Sequence, residues 1–413
     1  MLKETSEDIY SLLVEDEDAR VCRDIPDEAC DEQPQAFVRQ LLAQTCTKIG
    51  DALTSSRLVL AWMLASIGSP AILISLLVPL RESLSLLPQL FIAQRIREQA
   101  LRKWFWVFGS VAQAAALLAM IPALIFLPGE TASLLIVLLL ALFSLARGVC
   151  SVAAKDVLGK TISKSRRGRL TGLAASIAGF VTVSCAVVLW FTAERAVASA
   201  PDIALFALLL AAAALLWLCA AVIYAGIPEV PGATEGGGNA ITDAFKSLRL
   251  LYTDLDFLRF VIARMLLVST AFSIPYLVVL IQRSGEGELG GLAGLLFAEG
   301  AAGLLSGTLW GRWSDRASHH VMAVAAAISA LALAVALCSA LWAPHWLAQA
   351  ALPALLIFSA AVAHQGARIG RKTYLVDLAS AETRSSYTAV SNTVLGVFLL
   401  SGTGLGVVDA MYG

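Results

Sequence analysis

Apolar stretches longer than about 18 residues recur along this chain from Phe37 to the C-terminus. A helix of roughly 20 apolar residues crosses the hydrocarbon core of a bilayer, whereas a surface helix of a soluble protein carries a polar face. The 413-residue chain is 58% hydrophobic and only 15% charged, against roughly 25% charged residues in soluble domains. The sequence therefore predicts an all-α protein that crosses a membrane many times.

Eleven membrane spans are predicted, numbered in chain order: 37–60, 70–94, 104–127, 132–159, 170–192, 202–227, 257–281, 290–312, 321–342, 348–374 and 387–410. A long connection, which contains Pro228, Pro231 and three consecutive glycines, divides them six and five. The predicted domains are an acidic arm (1–35), a first bundle (36–227), a linker (228–256) and a second bundle (257–413).

Basic residues are concentrated in one set of loops, which holds Arg95, Arg97, Arg102, Lys103, Lys160, Lys164, Arg166, Arg167, Arg169, Arg312, Arg316 and Arg384. The opposite loops offer only Arg195 and Arg283. By the positive-inside rule, the basic loops and the N-terminus are expected to be cytoplasmic. The start of the chain is acidic and polar, unlike a signal peptide. We expect a multi-pass protein of the bacterial cytoplasmic (inner) membrane.

The N-terminal arm holds twelve Asp or Glu residues against Lys3, Arg20 and Arg23. Such a charge balance predicts a largely disordered, solvated segment, in which the apolar run 9–14 is a candidate for docking on a partner. Cys22 and Cys30 lie in the same arm, and a cytoplasmic location argues against a disulfide there.

The second half of the chain repeats the first at a shift of 217 residues. Charged positions stay in register at this shift: Glu82 aligns with Glu299, Arg95 with Arg312, Arg147 with His364, Lys155 with Lys372, and Arg167 with Arg384. A chance alignment of apolar runs would not align the charges. Carriers that work by alternating access commonly contain two such halves, with the substrate between them near the midplane.

The segment Gly311-Arg-Trp-Ser-Asp315-Arg316-Ala-Ser-His319-His320 resembles the cytoplasmic loop motif of the major facilitator superfamily, Gly-x-x-x-Asp-Arg-x-Gly-Arg-Arg. The first-half counterpart at 94–103 departs from this motif at both glycines and at the Asp-Arg pair. The resemblance covers the chain from about residue 36 to its end. It implies a fold of two six-helix bundles related by a repeat. The twelfth helix is missing here, and we expect that the sequence is truncated.

The resemblance also implies an ion-pair latch between the cytoplasmic ends of the two bundles. Asp315 and Arg316 are expected to form it in the second half, and Glu98 with Arg102 in the first. Its remaining expected members are Arg95, Gly311, Arg167 and Arg384.

Ionisable residues at bilayer depth are the strongest functional signal, because they cost at least about 2.5 kcal/mol each and usually line a pathway. In the superfamily, the first and fourth spans of each half line the central cavity. By that logic, Lys48, Asp51, Arg147, His364 and Arg368 are expected to face the cavity, and Arg264 of span 7 is a weaker addition. Gln89 of span 2 is also assigned to the predicted substrate cavity. Guanidinium groups there suit an anionic or hydrogen-bonding solute.

Three buried carboxylates, Asp51, Glu82 and Glu299, are candidates for proton coupling. Lys48 and Asp51 are three residues apart and can pair on one helix face, so they could also be purely structural. An intramembrane ion-pair network is predicted for Arg81, Lys155, Asp156, Arg371 and Lys372. For the last four, snorkelling to the cytoplasmic face is the alternative.

No catalytic motif and no metal-ligand spacing occur, so neither an enzyme nor a metal or cofactor is predicted. The net charge of −1 gives no sign of a nucleic-acid partner. We predict a monomeric secondary active transporter of a small solute, with proton coupling as a hypothesis and a preference for export of an amphiphilic or anionic compound. The alternative is a transporter-derived sensor or scaffold whose acidic arm binds a cytoplasmic partner.

Overall fold

The structure is a computed structural model that describes residues 2–13, 25–87, 95–96, 98–193, 203–232, 248–284, 289–349, 351–378 and 384–401. Nearly all of these residues are helical, and none of them forms a strand. The all-α fold class that the sequence predicts is confirmed.

Nine helices precede the linker among the described residues. They are α1 (Leu2–Leu13), α2 (Asp27–Asp31), α3 (Gln33–Leu53), α4 (Val59–Ser66), α5 (Ala71–Leu86), α6 (Lys103–Phe126), α7 (Gly129–Thr161), α8 (Lys164–Ala193) and α9 (Ile203–Ala225). The described helices α3 and α4 together form span 1, and α5 to α9 correspond to spans 2 to 6.

Six further helices follow among the described residues. They are α10 (Leu250–Thr253), α11 (Leu255–Leu267), α12 (Ser269–Ser284), α13 (Leu289–Trp342), α14 (Ala351–Leu378) and α15 (Arg384–Ser401). Span 7 consists of α11 and α12, and spans 10 and 11 are α14 and α15. Spans 8 and 9 run through α13, which is interrupted at Ala317, a residue with non-helical φ and ψ.

Seven of the described helical segments are long and apolar enough to cross a membrane. They are Lys103–Phe126, Gly129–Thr161, Arg169–Phe191, Ile203–Ala225, Leu255–Arg283, Arg316–Trp342 and Ala351–Leu375. Span 8 (Gly291–Gly307) and span 11 (Val390–Leu400) appear as shorter apolar helices. The predicted bounds of the two bundles and of the linker stay a prediction.

Span 1 is broken inside the protein. α3 ends at Leu53, α4 begins at Val59, and residues 54–58 between them are not helical. Irregular backbone at membrane depth is tolerated only where it is buried in protein or lines a water-filled cavity. The break therefore indicates a cavity beside span 1.

Part of the acidic arm is helical, although the arm was expected to be largely disordered. Tyr10 of α1 packs edge-on against Phe37 with ring centroids 5.3 Å apart, accepts a 3.0 Å hydrogen bond from Gln33 Nε2, and lies 5.8 Å from the guanidinium of Arg166. The apolar run proposed for partner docking thus packs in part on the chain itself.

Cys30 is disulfide-bonded, so the expectation of no disulfide in the arm is wrong.

Asp254 fixes the start of span 7. Its carboxylate accepts 3.0 Å hydrogen bonds from the backbone N–H groups of Asp256 and Phe257, and a further bond from the hydroxyl of Tyr387 on span 11. The Tyr387 and Phe257 bonds lower the pKa of Asp254. The charged form therefore stabilises the fold, and this contribution is lost as the pH falls through the lowered pKa.

We expect that Tyr10→Ala lowers the free energy of unfolding by about 2 kcal/mol, because an aromatic pair and a hydrogen bond to Tyr10 are worth about 1 kcal/mol each. The measurement is the melting temperature of the purified protein in detergent. Ser11→Ala is the control, since the exposed Ser11 hydroxyl only bonds a carbonyl of its own helix. Equal melting temperatures of wild type and Tyr10→Ala would contradict the docking of α1.

Candidate functional site

A cavity of about 910 Å³ lies between the first and second halves of the chain. Its charged lining comes from spans 1, 2, 4, 7, 8 and 10. The charged lining residues among those described are Lys48, Asp51, Arg57, Arg81, Glu82, Arg147, Arg264, Glu299, Arg368, Arg371 and Lys372, together with His364. The structure thus brings together most of the intramembrane charges that the sequence singled out.

An apolar cluster closes the cavity at the end whose loops carry few basic residues. We call this the outer end. It combines residues 58–64 of span 1 with Leu277 of span 7 and Leu292 of span 8, so both halves contribute. The halves also meet where span 5 packs on span 8: a Cβ at Gly300 would lie 2.9 Å from Cγ2 of Val183. Only a residue without a side chain permits this approach.

At the opposite end, which carries the basic loops and is called the basic end, the buried apolar clusters belong to single halves. One cluster contains Phe37, Trp106 and Tyr224 of the first half, and another contains Phe257 and Tyr387 of the second. The cavity extends toward this end, where Lys372 lines it. The cavity is therefore sealed at the outer end and reaches toward the basic end.

Asp51 is clamped by two arginines inside the cavity. Its carboxylate lies 2.7 Å from Nη2 of Arg81 and receives Nη1 and Nη2 of Arg147 at 2.6 and 2.5 Å. Both guanidinium groups also lie over aromatic rings, Arg81 over Phe143 and Arg147 over Trp217. Lys48, which the sequence offered as the partner of Asp51, makes no ion pair with any described residue. This clamp joins spans 1, 2 and 4.

The local sequence explains why these three spans come so close. A Cβ at Gly148, the neighbour of Arg147, would lie 3.1 Å from the carbonyl oxygen of Ser85 on span 2. Glycine therefore lets α7 approach α5 and carries Arg147 to the carboxylate. On span 2, Pro79 lies inside α5 two residues before Arg81.

The other charges of the cavity are less well paired. Within the described residues, Arg57, Glu82, Glu299, Arg368, Arg371 and Lys372 form no ion pair within 4.0 Å. Arg264 instead donates to the hydroxyl of Ser391 at 2.6 Å and to Oδ1 of Asn392 at 2.7 Å, both on span 11. The ring of His364 lies 3.3 Å from the Thr270 hydroxyl. The second half therefore contributes cations that no neighbouring carboxylate neutralises.

Two cavity cations were missed or undervalued from sequence. Arg57 was treated as an ordinary residue of span 1, and Arg264 as a weak addition to the cavity. The available signal was the polar run Thr54-Ser55-Ser56-Arg57 within an otherwise apolar stretch. Such a run in the middle of a span is typical of a broken helix at a binding site.

Lys155 and Asp156, predicted in the intramembrane network, do not line the cavity. Asp156 pairs with Arg102 and lies 3.2 Å from Nζ of Lys160. Gln89, predicted in the cavity, lies outside the described residues.

The expected latch residues of the first half have other partners. Glu98 pairs weakly with Arg95 at 3.6 Å on the surface, whereas Arg102 pairs with Asp156. Arg102 and Lys103 donate their backbone N–H groups to the fully buried carboxylate of Glu229 at 2.9 and 2.8 Å. The role of Glu98 and Arg102 in a latch between the two bundles stays a prediction.

Among the other latch residues, the structure describes the side chains of Arg167 and Arg316 and the position of Gly311. Arg167 donates to the carbonyls of Gly159 and Ile162 at the end of span 4, both at 2.8 Å. Arg316 is exposed, and Gly311 is half-buried. The side chains of Asp315 and Arg384 lie outside the described residues, so the latch stays a prediction.

The sequence from residue 41 to 403 matches the family model described as Major Facilitator Superfamily. The chain belongs to the major facilitator superfamily. No curated protein matches the sequence. The match covers most of the chain and confirms the family that the loop motif at 311–320 resembles.

Similar solved structures are also carriers of this superfamily type. A mutant of the nucleoside transporter NupG gives a TM-score of 0.65 at 16% identity, over 92% of this chain and 92% of that chain. A D-xylose–proton symporter gives 0.63 at 13%, over 91% and 89%. A bacterial homolog of the human lysosomal transporter Spinster, inward-facing and unoccupied, gives 0.58 at 11%, over 92% and 83%. These likenesses show the fold, and the family makes the chain a multi-pass membrane transporter.

We expect Asp51→Asn to lower the free energy of unfolding by about 3 kcal/mol, because it leaves two largely buried guanidinium groups without their shared carboxylate. Lys48→Gln, which removes a neighbouring charge without an ion pair, is the control and should have a much smaller effect. Thermal unfolding in detergent measures both. A melting temperature for Asp51→Asn that equals that of Lys48→Gln would contradict the structural role of the clamp.

Proposed function

We propose that this member of the superfamily is a secondary transporter that carries an organic anion across the bacterial cytoplasmic membrane by alternating access. One observation carries the proposal: eight lysine and arginine side chains line the cavity, against three carboxylates, among the described residues. A pathway for a neutral solute has no need of such an excess of positive charge, and each charge held at bilayer depth is costly. An anionic solute would offset that cost.

The distribution of the charges supports the same solute. Asp51 neutralises Arg81 and Arg147 in part, whereas Arg368, Arg371 and Lys372 on span 10 have no carboxylate within 4.0 Å among the described residues. Guanidinium groups bind carboxylate or phosphate groups through two parallel hydrogen bonds. These cations therefore supply the positive potential that attracts an anionic solute into the cavity.

The positive-inside rule supports a cytoplasmic basic end and a cytoplasmic N-terminus. With that orientation, the cavity sealed at the outer end belongs to an inward-open state. Transport then requires that the apolar contacts of the outer end separate while the basic ends approach.

Glu82 and Glu299 are better candidates for proton coupling than Asp51. Both line the cavity without an ion pair among the described residues, whereas the Asp51 carboxylate is engaged by Arg81 and Arg147. They are also the repeat-related pair of the two halves. A carboxylate without a fixed partner can gain or lose a proton without dismantling a structural network.

Export remains the preferred direction. A membrane potential that is negative inside favours outward movement of an anion by about 2.3 kcal/mol per charge per 100 mV. Uptake of the same anion would need protons carried in the same direction.

The alternative of a non-transporting scaffold gains no support, because Tyr10 and Leu13 of the arm pack on the first half.

A binding screen tests the charge preference. Purified protein is melted in the presence of mono- and dicarboxylates, sugar phosphates and neutral sugars. An anion at about 100 times its dissociation constant should stabilise the protein by about 2.7 kcal/mol. We expect weaker binding in Arg368→Gln and unchanged binding in Arg312→Gln, an exposed arginine outside the cavity. Stabilisation by neutral solutes alone would overturn the proposal.

Flux in proteoliposomes tests the coupling residues. Glu82→Gln and Glu299→Gln should each reduce transport driven by a pH gradient, while exchange of the solute without a gradient continues. Exchange serves as the internal control for folding and binding. If both variants kept full gradient-driven transport, neither carboxylate would be the coupling site.

A further inference from the structure

The break in span 1 stands at the boundary between the cavity and its outer seal. Ser55, Ser56 and Arg57 line the cavity. Immediately afterwards, residues 58–64 are almost fully buried in the apolar cluster of the outer end. Any group that binds in the break therefore touches the deepest wall of the cavity and the seal at once.

The break leaves several hydrogen-bond donors without acceptors. In the described part of the chain, the N–H groups of Ser56, Arg57 and Val59 bond to no carbonyl, although those of Leu58 and Leu60 both reach the carbonyl of Ser55. α4 begins directly after these residues, and no side chain caps it. The partial positive charge of a helix start and its free N–H groups together favour an anion.

Ser56 supplies an independent sign of a ligand. Its side chain is 3% exposed and lines the cavity, yet its hydroxyl has no hydrogen-bond partner among the described residues. Elsewhere in the described spans, serine hydroxyls commonly bond a carbonyl one turn earlier, as those of Ser75 and Ser144 do. A nearly buried hydroxyl without such a bond is expected to have a partner that is not part of the chain.

Arg57 adds a guanidinium to the same place. It interacts electrostatically with Glu82 of span 2, Glu299 of span 8 and His364 of span 10, so it faces both halves. None of these groups lies within ion-pair distance of it among the described residues. The same guanidinium also adds to the positive field around Arg81 and Arg368. The third carboxylate, Asp51, is held by Arg81 and Arg147.

We propose that the break at residues 54–58 binds the oxyanion group of the transported solute, with Arg57 as the cation and with the Ser56 hydroxyl and the N–H groups before α4 as donors. Carboxylate and phosphate groups share the required chemistry. This assignment rests on the proposed transport of an anion and makes it specific. Arg368, Arg371 and Lys372 then supply the general positive potential of the second-half side, whereas the break determines where the anionic group lies.

The test measures binding of three probes to the full chain in nanodiscs: inorganic phosphate, succinate and a hexose phosphate. Isothermal titration gives the dissociation constants for wild type, Arg57→Gln, Ser56→Ala and Lys372→Gln. Lys372→Gln is the matched control, because it also removes one cavity cation but near the basic end. We expect at least tenfold weaker binding for Arg57→Gln, about three- to tenfold for Ser56→Ala, and less than threefold for Lys372→Gln.

The outcomes separate this inference from the proposed function. Equal weakening by Arg57→Gln and Lys372→Gln, with Ser56→Ala unchanged, would mean that only the overall charge attracts the anion, and the site in the break would be wrong. Transport of anions would stand in that case. If no probe bound to the wild type, the proposed function would fail, and this inference with it. Should Arg57→Gln not fold, Ser56→Ala against Lys372→Gln decides alone. The probe that binds distinguishes a carboxylate from a phosphate.

Discussion

The carboxylate of Asp51 holds together the part of the membrane domain on which the cavity depends. It receives two guanidinium groups, from Arg81 and Arg147, and so ties span 1 to spans 2 and 4. An ion pair within a bilayer replaces solvation that the lipid cannot provide, and removal of one partner leaves the other charge uncompensated. The same interaction engages this carboxylate and both guanidinium groups with one another inside the first half. The transported solute is then attracted mainly by other charges.

Those charges are distributed unevenly over the two halves. The repeat aligns Glu82 with Glu299 and Arg147 with His364, so each half carries a related set of ionisable residues. Only the first-half set includes a carboxylate that pairs with its arginine. The second presents Arg368 and Arg371 on span 10 to the cavity without a carboxylate within 4.0 Å among the described residues. A duplicated helix bundle can thus keep structural charges in one half and use the related positions of the other to attract the solute.

Sequence patterns predicted the class of fold and most of the polar lining, because each depends on local composition. Long apolar runs identify spans, and an ionisable residue such as Arg147 or His364 in the middle of one nearly always faces inward. The pairing of charges was less predictable. Lys48 and Asp51 share a helix face, yet Asp51 pairs with arginines 30 and 96 residues away, brought close by the packing of α7 on α5. Arg57 was overlooked because the polar run at residues 54–57 was taken as part of a continuous helix, whereas the helix stops at Leu53.

The close packing of span 5 on span 8 at Gly300 has a consequence for how the transporter divides its time between states. Val183 fills the space that any side chain at position 300 would need. A single methyl group there would push span 5 and span 8 apart, and with them one contact between the two halves. Since a bias of about 1.4 kcal/mol changes a two-state ratio tenfold, a side chain at position 300, on the cavity wall, can shift the resting equilibrium through this contact alone. The absence of a side chain at one residue is thus part of the energetics of the transport cycle.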